Sequence, residues 1–209
     1  MSYAGAGIRR PTARVVPAAP GRALVMMVLF TALLYVVEAA NFATDGLLDV
    51  EGGIIPRQVD GLDGVLFAPL LHANWAHLFA NTLPFLIFGF LAMAGGIRQF
   101  VAVTATIWLL GDLAVWLLGP PDTVTVGASG VIFGWFVFLL ARGFYTRSLA
   151  QILLAVGLFA LWGGVLWGVL PGDSGISWQG HLFGALAGLL AARLVGGADR
   201  PAHPADRLR

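Results

Sequence analysis

The chain has 209 residues, of which 58% are hydrophobic and only 11% are charged, a balance far from that of a soluble globular domain. Its formal net charge is only +1, which gives no support for nucleic-acid binding, and the lack of cysteine excludes disulfides, thiol nucleophiles and cysteine-ligated metals. This composition predicts a membrane protein.

Six apolar stretches follow one another along the chain, each near the roughly 20 residues that a helix needs to cross the hydrocarbon. They predict an all-α membrane protein, a bundle of six transmembrane helices within residues 22–197. Residues 1–21, rich in Ala, Pro, Gly and Arg, are expected to form a disordered cytoplasmic tail. Residues 198–209 are expected to form a cytoplasmic C-terminal tail. The predicted spans are residues 22–42, 77–94, 99–117, 129–142, 148–170 and 177–197.

Basic residues gather on one side of this bundle. All 12 are arginines, and all except Arg57 lie near the start of the first span, after the second and fourth spans, or near the end of the sixth. By the positive-inside rule this side is cytoplasmic, so both termini are expected in the cytoplasm. A cleaved signal peptide over residues 1–42 is the alternative, but the apolar run is long for such a segment.

A serine and a histidine have matching depths in two of these spans. Ser129 precedes Arg142, the expected headgroup anchor of the fourth span, by 13 residues, or about 20 Å of helix. His181 precedes Arg193 in the sixth span by 12 residues, or about 18 Å. A hydroxyl group and an imidazole base at one level inside a membrane indicate hydrolytic chemistry.

The second span brings further polar side chains to this level. His77 and Asn81 are four residues apart and therefore share a helix face. His72 precedes them and is expected to pack against or hydrogen-bond the first external connection. Three histidines raise the alternative of a metal site, but His72 and His77 do not share a helical face and no carboxylate accompanies them. No metal and no cofactor are therefore expected.

Small residues and a break in helical pattern indicate how the spans pack. Residues 123–128 are not expected to be helical, and such backbone at membrane depth requires a surrounding of protein or a water-filled cavity. We therefore expect a hydrated cavity open to the outside. The fourth and sixth spans carry faces of small residues that let two helices approach closely: Gly130, Gly134, Gly180, Gly184 and Gly188.

These features together resemble the rhomboid family of intramembrane serine proteases over residues 22–197. The run Gly127-Ala128-Ser129-Gly130 is similar to the family's Gly-x-Ser-Gly motif. The spacing of His72, His77 and Asn81 resembles its second-helix pattern, and His181 followed by glycines resembles its sixth helix.

The resemblance implies a serine endopeptidase that cleaves transmembrane segments of other membrane proteins near their outer ends. It implies a catalytic dyad of Ser129 and His181, and an oxyanion site formed by the His77 and Asn81 side chains with the Ser129 N–H. Gly127, Gly130, Phe133 and His72 are expected to support this site. It also implies a mobile gate made of the fifth span and residues 171–176. The expected setting is the plasma (inner) membrane of a bacterium, with the lipid bilayer and transmembrane substrates as partners; no oligomeric state is predicted.

Some residues depart from the family pattern or stay unassigned. Phe133 stands where many members have a tyrosine that stacks on the histidine, and its ring can stack without a hydroxyl. Asp112 and Glu38 are carboxyl groups within spans. Asp112 is an alternative third member of a triad, although interhelical hydrogen bonding is favoured.

Two other classes of function fit the sequence less well. A transporter or channel would be expected to show inverted repeats or paired charges through the membrane, and neither is found in the sequence. A catalytically inactive relative that acts as a binding factor is disfavoured because the serine, histidine and asparagine are retained.

Overall fold

The computed structural model describes residues 14–172 and 177–198, so most of both predicted tails and residues 173–176 of the predicted gate lie outside this description. The helices in the described ranges are α1 (Pro20–Ala43), α2 (Leu47–Gly52), α3 (Gly64–Phe67), α4 (Trp75–Ala92), α5 (Ile97–Leu118), α6 (Ser129–Thr146), α7 (Leu149–Trp162) and α8 (Trp178–Ala198). Short 3-10 turns extend α4 to Gly95 and α7 to Val169, and Ile54 and Thr125 form one isolated bridge within the described residues.

Six of these helices, α1 and α4 to α8, are long and apolar enough to cross a membrane, which confirms the predicted bundle. The predicted end of α6 at Arg142 is wrong, because α6 continues to Thr146. Arg142 is only 2% exposed, lies over the Phe138 ring and donates a hydrogen bond to the Arg14 carbonyl oxygen at 3.3 Å. A contact within the protein therefore replaces the expected headgroup contact.

Helix α6 is the centre of the bundle. Of its apolar 18-residue window 56% is buried by the rest of the protein, against 11% for the window in α7. Its aromatic side chains fill the space towards α4, where Phe136 stacks on Phe88 with ring centroids 4.9 Å apart. Because lipid is as apolar as these side chains, close packing rather than hydrophobic burial holds such helices together.

Glycines bring α6 and α8 into backbone contact. A Cβ atom on Gly130 would lie 3.2 Å from the Gly180 carbonyl oxygen. Cβ atoms on Gly184 and Gly188 would collide with the carbonyl groups of Gly130 and Gly134. The predicted small-residue faces are confirmed, and they set the lateral distance between the two helices that carry Ser129 and His181.

The connection between α1 and α4, predicted to be the first external connection, is fastened to the C-terminal end of α5. The Arg57 guanidinium donates hydrogen bonds to the carbonyl oxygens of Gly119 at 2.7 Å and Leu117 at 3.3 Å. The Trp116 indole donates to the Gln58 carbonyl oxygen at 2.8 Å. A cation at these carbonyls satisfies groups that the end of a helix leaves unpaired.

Candidate active site

The chain reaches Ser129 through an extended segment that the first external connection supports. Ile54 and Thr125 exchange two backbone hydrogen bonds of 2.9 Å, and the Gly127 N–H donates to the Ala68 carbonyl oxygen at 2.9 Å. Protein therefore satisfies part of the non-helical backbone at this depth. Helix α6 begins at Ser129, so this residue lies where backbone N–H groups lack a partner within the helix.

Ser129 and His181 are in hydrogen-bond contact. Ser129 Oγ lies 2.9 Å from His181 Nε2, although the two residues are 52 positions apart in sequence. His181 is only 9% exposed and lies in the first turn of α8, next to the glycine contact with α6. The bundle thus brings a hydroxyl and an imidazole to the distance that proton transfer requires.

The other side of the imidazole fixes its tautomer. His181 Nδ1 lies 3.0 Å from the carbonyl oxygen of Gly168, in the 3-10 turn after α7. A carbonyl oxygen only accepts, so neutral His181 carries its proton on Nδ1 and leaves Nε2 free to accept from the Ser129 hydroxyl. A Cβ atom on Gly168 would lie 3.2 Å from Nδ1, so glycine at this position permits the close approach.

The structure also places an aromatic ring on the imidazole. The Phe133 and His181 rings are stacked, with centroids 4.1 Å apart and planes 6° apart. Phe133 lies one turn after Ser129 on α6, so the same helix carries the hydroxyl and the stacking ring. With Gly168 at its edge and Phe133 on its face, the imidazole is held in one orientation.

His77 and Asn81 approach Ser129 from α4. Asn74 is the N-cap of this helix, and its Oδ1 accepts a hydrogen bond of 2.9 Å from the His77 N–H. Asn81 is 8% exposed, and its Nδ2 has no hydrogen-bond partner in the part of the chain that the structure describes. A buried donor without a partner costs about 1–3 kcal/mol, so this amide is a candidate for binding a ligand.

Gly127 allows the segment before Ser129 to pass directly against His77. Its φ angle is +126°, which disfavours any residue with a side chain. A Cβ atom there would lie 2.6 Å from Cε1 of His77. Backbone conformation and space therefore both require glycine at this position.

A cavity of about 530 Å³ joins these groups. It reaches the connection between α5 and α6, in keeping with the expected cavity beside the non-helical segment. The predicted residues that line it are Ser129, His181, His77, Asn81, Gly127 and Phe133.

His72 lies behind this group and has no hydrogen bond. It is fully buried, its ring centroid is 5.1 Å from that of His77, and neither of its ring nitrogens has a partner among residues 14–172 and 177–198. The ring therefore packs against His77 of α4, and of the two expected contacts with the external connection, packing or a hydrogen bond, the hydrogen bond is not found among these residues. Burial, together with the neighbouring His77, lowers the pKa of His72 to about 4.

The structure does not assign Asp112 to a triad. Nδ1 of His181 is occupied by Gly168, and Oδ2 of Asp112 has no hydrogen-bond partner among the described residues, so the favoured interhelical hydrogen bond is not found for this oxygen. Glu38 Oε2 likewise lacks a partner there, and Glu38 is only 3% exposed. Across the same residues, no group of three or more His, Asp or Glu side chains is arranged to hold a metal ion.

Six spans around a cavity that holds a hydrogen-bonded serine and histidine are typical of an intramembrane hydrolase. A sequence model of the rhomboid domain matches residues 61–198. Uncharacterized proteins of Mycobacterium tuberculosis and Mycobacterium leprae are 47% and 45% identical over 188 and 186 residues, covering 85% and 84% of this chain and 77% and 72% of theirs. YdcA of Bacillus subtilis, provisionally named a rhomboid protease, is 33% identical over 127 residues, which is 60% of this chain and 63% of YdcA.

The chain therefore belongs to the rhomboid family. The family and its named relatives support an intramembrane protease, and the six apolar helices make it a multi-pass membrane protein.

Proposed function

We propose that this protein is a serine endopeptidase of the membrane interior, with Ser129 as nucleophile and His181 as its general base. The observation that carries the proposal is the 2.9 Å contact between Ser129 Oγ and His181 Nε2, within a chain of the rhomboid family. The hydrogen bond from Nδ1 to the Gly168 carbonyl supports it, because this bond leaves Nε2 as the basic nitrogen.

The reaction is an acyl transfer in two halves. Nε2 of His181 takes the proton of the Ser129 hydroxyl as Oγ bonds to the carbonyl carbon of the scissile peptide. The imidazolium then gives this proton to the departing amine nitrogen, and the peptide C–N bond breaks to leave an ester on Ser129. A water molecule, deprotonated by the same imidazole, then attacks the ester carbon. The bond between this carbon and Ser129 Oγ breaks, the imidazolium returns the proton to Oγ, and the acid product is released.

Three donors stabilise the negative oxygen of the tetrahedral intermediate in this proposal. They are the unpartnered Nδ2 of Asn81, the His77 side chain and the backbone N–H of Ser129. Asn81 and His77 line the same cavity as Ser129. Donors fixed in place before the reaction need no reorganisation, which makes them effective in a site shielded from bulk water.

The substrates we propose are transmembrane segments of other membrane proteins, cut near their outer ends. Arginine placement favours cytoplasmic termini, and with this orientation the cavity at the connection between α5 and α6 would open towards the outside. Helix α7 is the least buried span, which favours it, together with residues 171–176, as the gate for lateral entry. The mycobacterial relatives favour the inner membrane of a bacterium.

Cleavage of a model transmembrane substrate by the purified protein in liposomes tests this proposal. Ser129→Ala and His181→Ala should each abolish turnover, and the double variant should be no worse than either single one, because the two residues act as a unit. A fluorophosphonate should label wild-type protein at Ser129. Ser148→Ala is the matched control, since Ser148 precedes α7 and makes no side-chain capping bond. Substantial cleavage by folded Ser129→Ala would rule the proposal out.

A further inference from the structure

Asp112 is a buried carboxyl group in the cavity that the proposed mechanism does not use. It lies on α5, six residues before the helix ends at Leu118, and is 9% exposed. It lines the same cavity as Ser129, and its Oδ2 has no hydrogen-bond partner in the described part of the chain. It is not coupled to the base, because Ser129 and Gly168 occupy the two ring nitrogens of His181.

The packing of α5 places this carboxyl group near Gly130, the residue that follows the proposed nucleophile. Asp112 Oδ1 lies 3.9 Å from the position that a Cβ atom on Gly130 would take, and Gly130 directly follows Ser129. His77 instead meets the chain at Gly127, before the serine. The carboxyl group is therefore within reach of a substrate side chain next to the scissile bond.

The charge of the cavity determines what such a side chain must be. Asp112 is the one carboxyl group among the described lining residues, which include no arginine; the other polar lining groups are amides, hydroxyls and imidazoles. A carboxyl group buried without a partner is unfavourable, and a cation brought by a ligand offsets this cost. Lysine and arginine side chains only donate hydrogen bonds, and their bonds to carboxylates are stronger than neutral ones.

The surface around the cavity favours the same ligand chemistry. The external connections carry only one basic residue, Arg57, whose guanidinium is already bound to carbonyl oxygens of α5. Their negative field attracts a basic segment before it reaches the cavity. The acidic residues on this side, within the described ranges, are Asp45, Asp49, Glu51, Asp60, Asp63 and Asp122.

We propose that Asp112 determines specificity by binding a lysine or arginine side chain adjacent to the scissile bond of the substrate. The ammonium or guanidinium group pairs with the carboxylate and fixes the register of the substrate over Ser129. This inference rests on the proposed protease activity.

The test compares transmembrane substrates that differ at one residue beside the cleavage site, which is first located by mass spectrometry of the products. The residue is Lys, Arg, Gln, Met or Glu, and kcat/KM is measured in liposomes. A charge-assisted hydrogen bond contributes about 1.5–3 kcal/mol, so wild-type protein should prefer Lys or Arg over Gln and Met by about ten- to hundredfold. Glu should be the poorest residue.

Variants assign this preference to Asp112. Asp112→Asn should lose the preference for Lys and Arg over Met, compared as a ratio of kcat/KM values within that variant, whereas Asp112→Glu should retain part of it. The matched control is Asp122→Asn, the same change at an exposed residue on this side that does not line the cavity. It should keep the full preference.

The outcomes separate the inference from the function on which it rests. Wild-type protein that cleaves all five substrates equally overturns the role of Asp112, and this result does not depend on the folding of any variant. Retention of the preference by an active Asp112→Asn variant overturns it as well. If wild-type protein cleaves none of the substrates and no fluorophosphonate labels Ser129, the proposed protease activity fails, and this inference with it.

Discussion

Replacing Asn81 with alanine separates an oxyanion donor from a residue that only joins helices. The Nδ2 atom of Asn81 is buried in the cavity wall and has no partner among the described residues, so the truncation removes no hydrogen bond from that atom in the resting protein. A donor that is used only when the oxyanion forms contributes to the rate and not to the stability.

The magnitudes follow from this geometry. Loss of one oxyanion donor typically lowers kcat about 100- to 1000-fold. With His77 and the Ser129 N–H still in place, we expect a loss of roughly ten- to a thousandfold for Asn81→Ala. The free energy of unfolding should change by less than about 1 kcal/mol, because a buried unpaired donor is removed together with its side chain.

Asn41 provides the matched control for this substitution. It is also buried in a membrane span, at 4% exposure, but its Oδ1 accepts a hydrogen bond of 3.2 Å from the Asp49 N–H. Asn41→Ala should therefore lose about 0.6–2 kcal/mol of stability and keep the wild-type rate per folded molecule.

Thermal unfolding and single-turnover cleavage, measured on the same preparations, give both quantities. The two variants should show opposite patterns. Asn81→Ala should cleave more slowly than wild-type protein at nearly unchanged stability, whereas Asn41→Ala should cleave at the wild-type rate per folded molecule and be less stable. Our reasoning is refuted if Asn81→Ala resembles the control, with a lower melting temperature and wild-type turnover per folded molecule.

Two other changes probe the support of the site. Gly127→Ala should lower both the melting temperature and the cleavage rate, because positive φ costs about 1–3 kcal/mol with a side chain and the added methyl group meets His77; Gly157→Ala, where a Cβ atom meets nothing within 4 Å, should do neither. His72 has a pKa of 6.5 when unfolded and about 4 when folded, so protons bind the unfolded state first and stability falls as the pH drops from about 6.5 to about 4, by at most about 3 kcal/mol. His72→Met should flatten this part of the curve of melting temperature against pH, and an unchanged slope would contradict the assignment.

The sequence predicts the spans well because each must satisfy its own backbone hydrogen bonds and face lipid, so the pattern is local. The end of α6 is the instructive error. Arg142 alone reads as a headgroup anchor, but the carbonyl oxygen that binds it belongs to Arg14, which is 128 positions away in sequence. Whether an arginine in such a span is buried in the protein or lies at the headgroups depends on residues far away in the sequence. The pattern of residues next to the arginine contains no information about those contacts.

The pairing of Ser129 with His181 is a different case. Rise per residue converts sequence distance into height, so counting from Arg142 and Arg193 gives two similar heights without knowledge of the fold. The count along α6 starts from a residue that binds Arg14 inside the protein, so it gives a height along the helix and not a depth below the headgroups. Sequence distance gives no comparable estimate of how far apart two helices lie within the membrane plane. The glycines of α6 and α8 give part of this information, because they limit which faces of the two helices can approach closely. In the structure, Gly184 and Gly188 make such close contacts with α6.

The depth of a residue and the close approach of two helices do not determine where each side chain points. For this reason the sequence alone does not determine the role of Asp112. A carboxyl group near the level of an imidazole suits a triad, a helix contact or a substrate pocket equally well. What separates these roles is the second nitrogen of His181, and its partner is the backbone carbonyl of Gly168. Every residue has a carbonyl group, so no residue type marks this acceptor in advance. Because the carbonyl occupies Nδ1, no carboxylate binds this nitrogen of the proposed base, and Asp112 instead lines the cavity where the proposed substrate would lie.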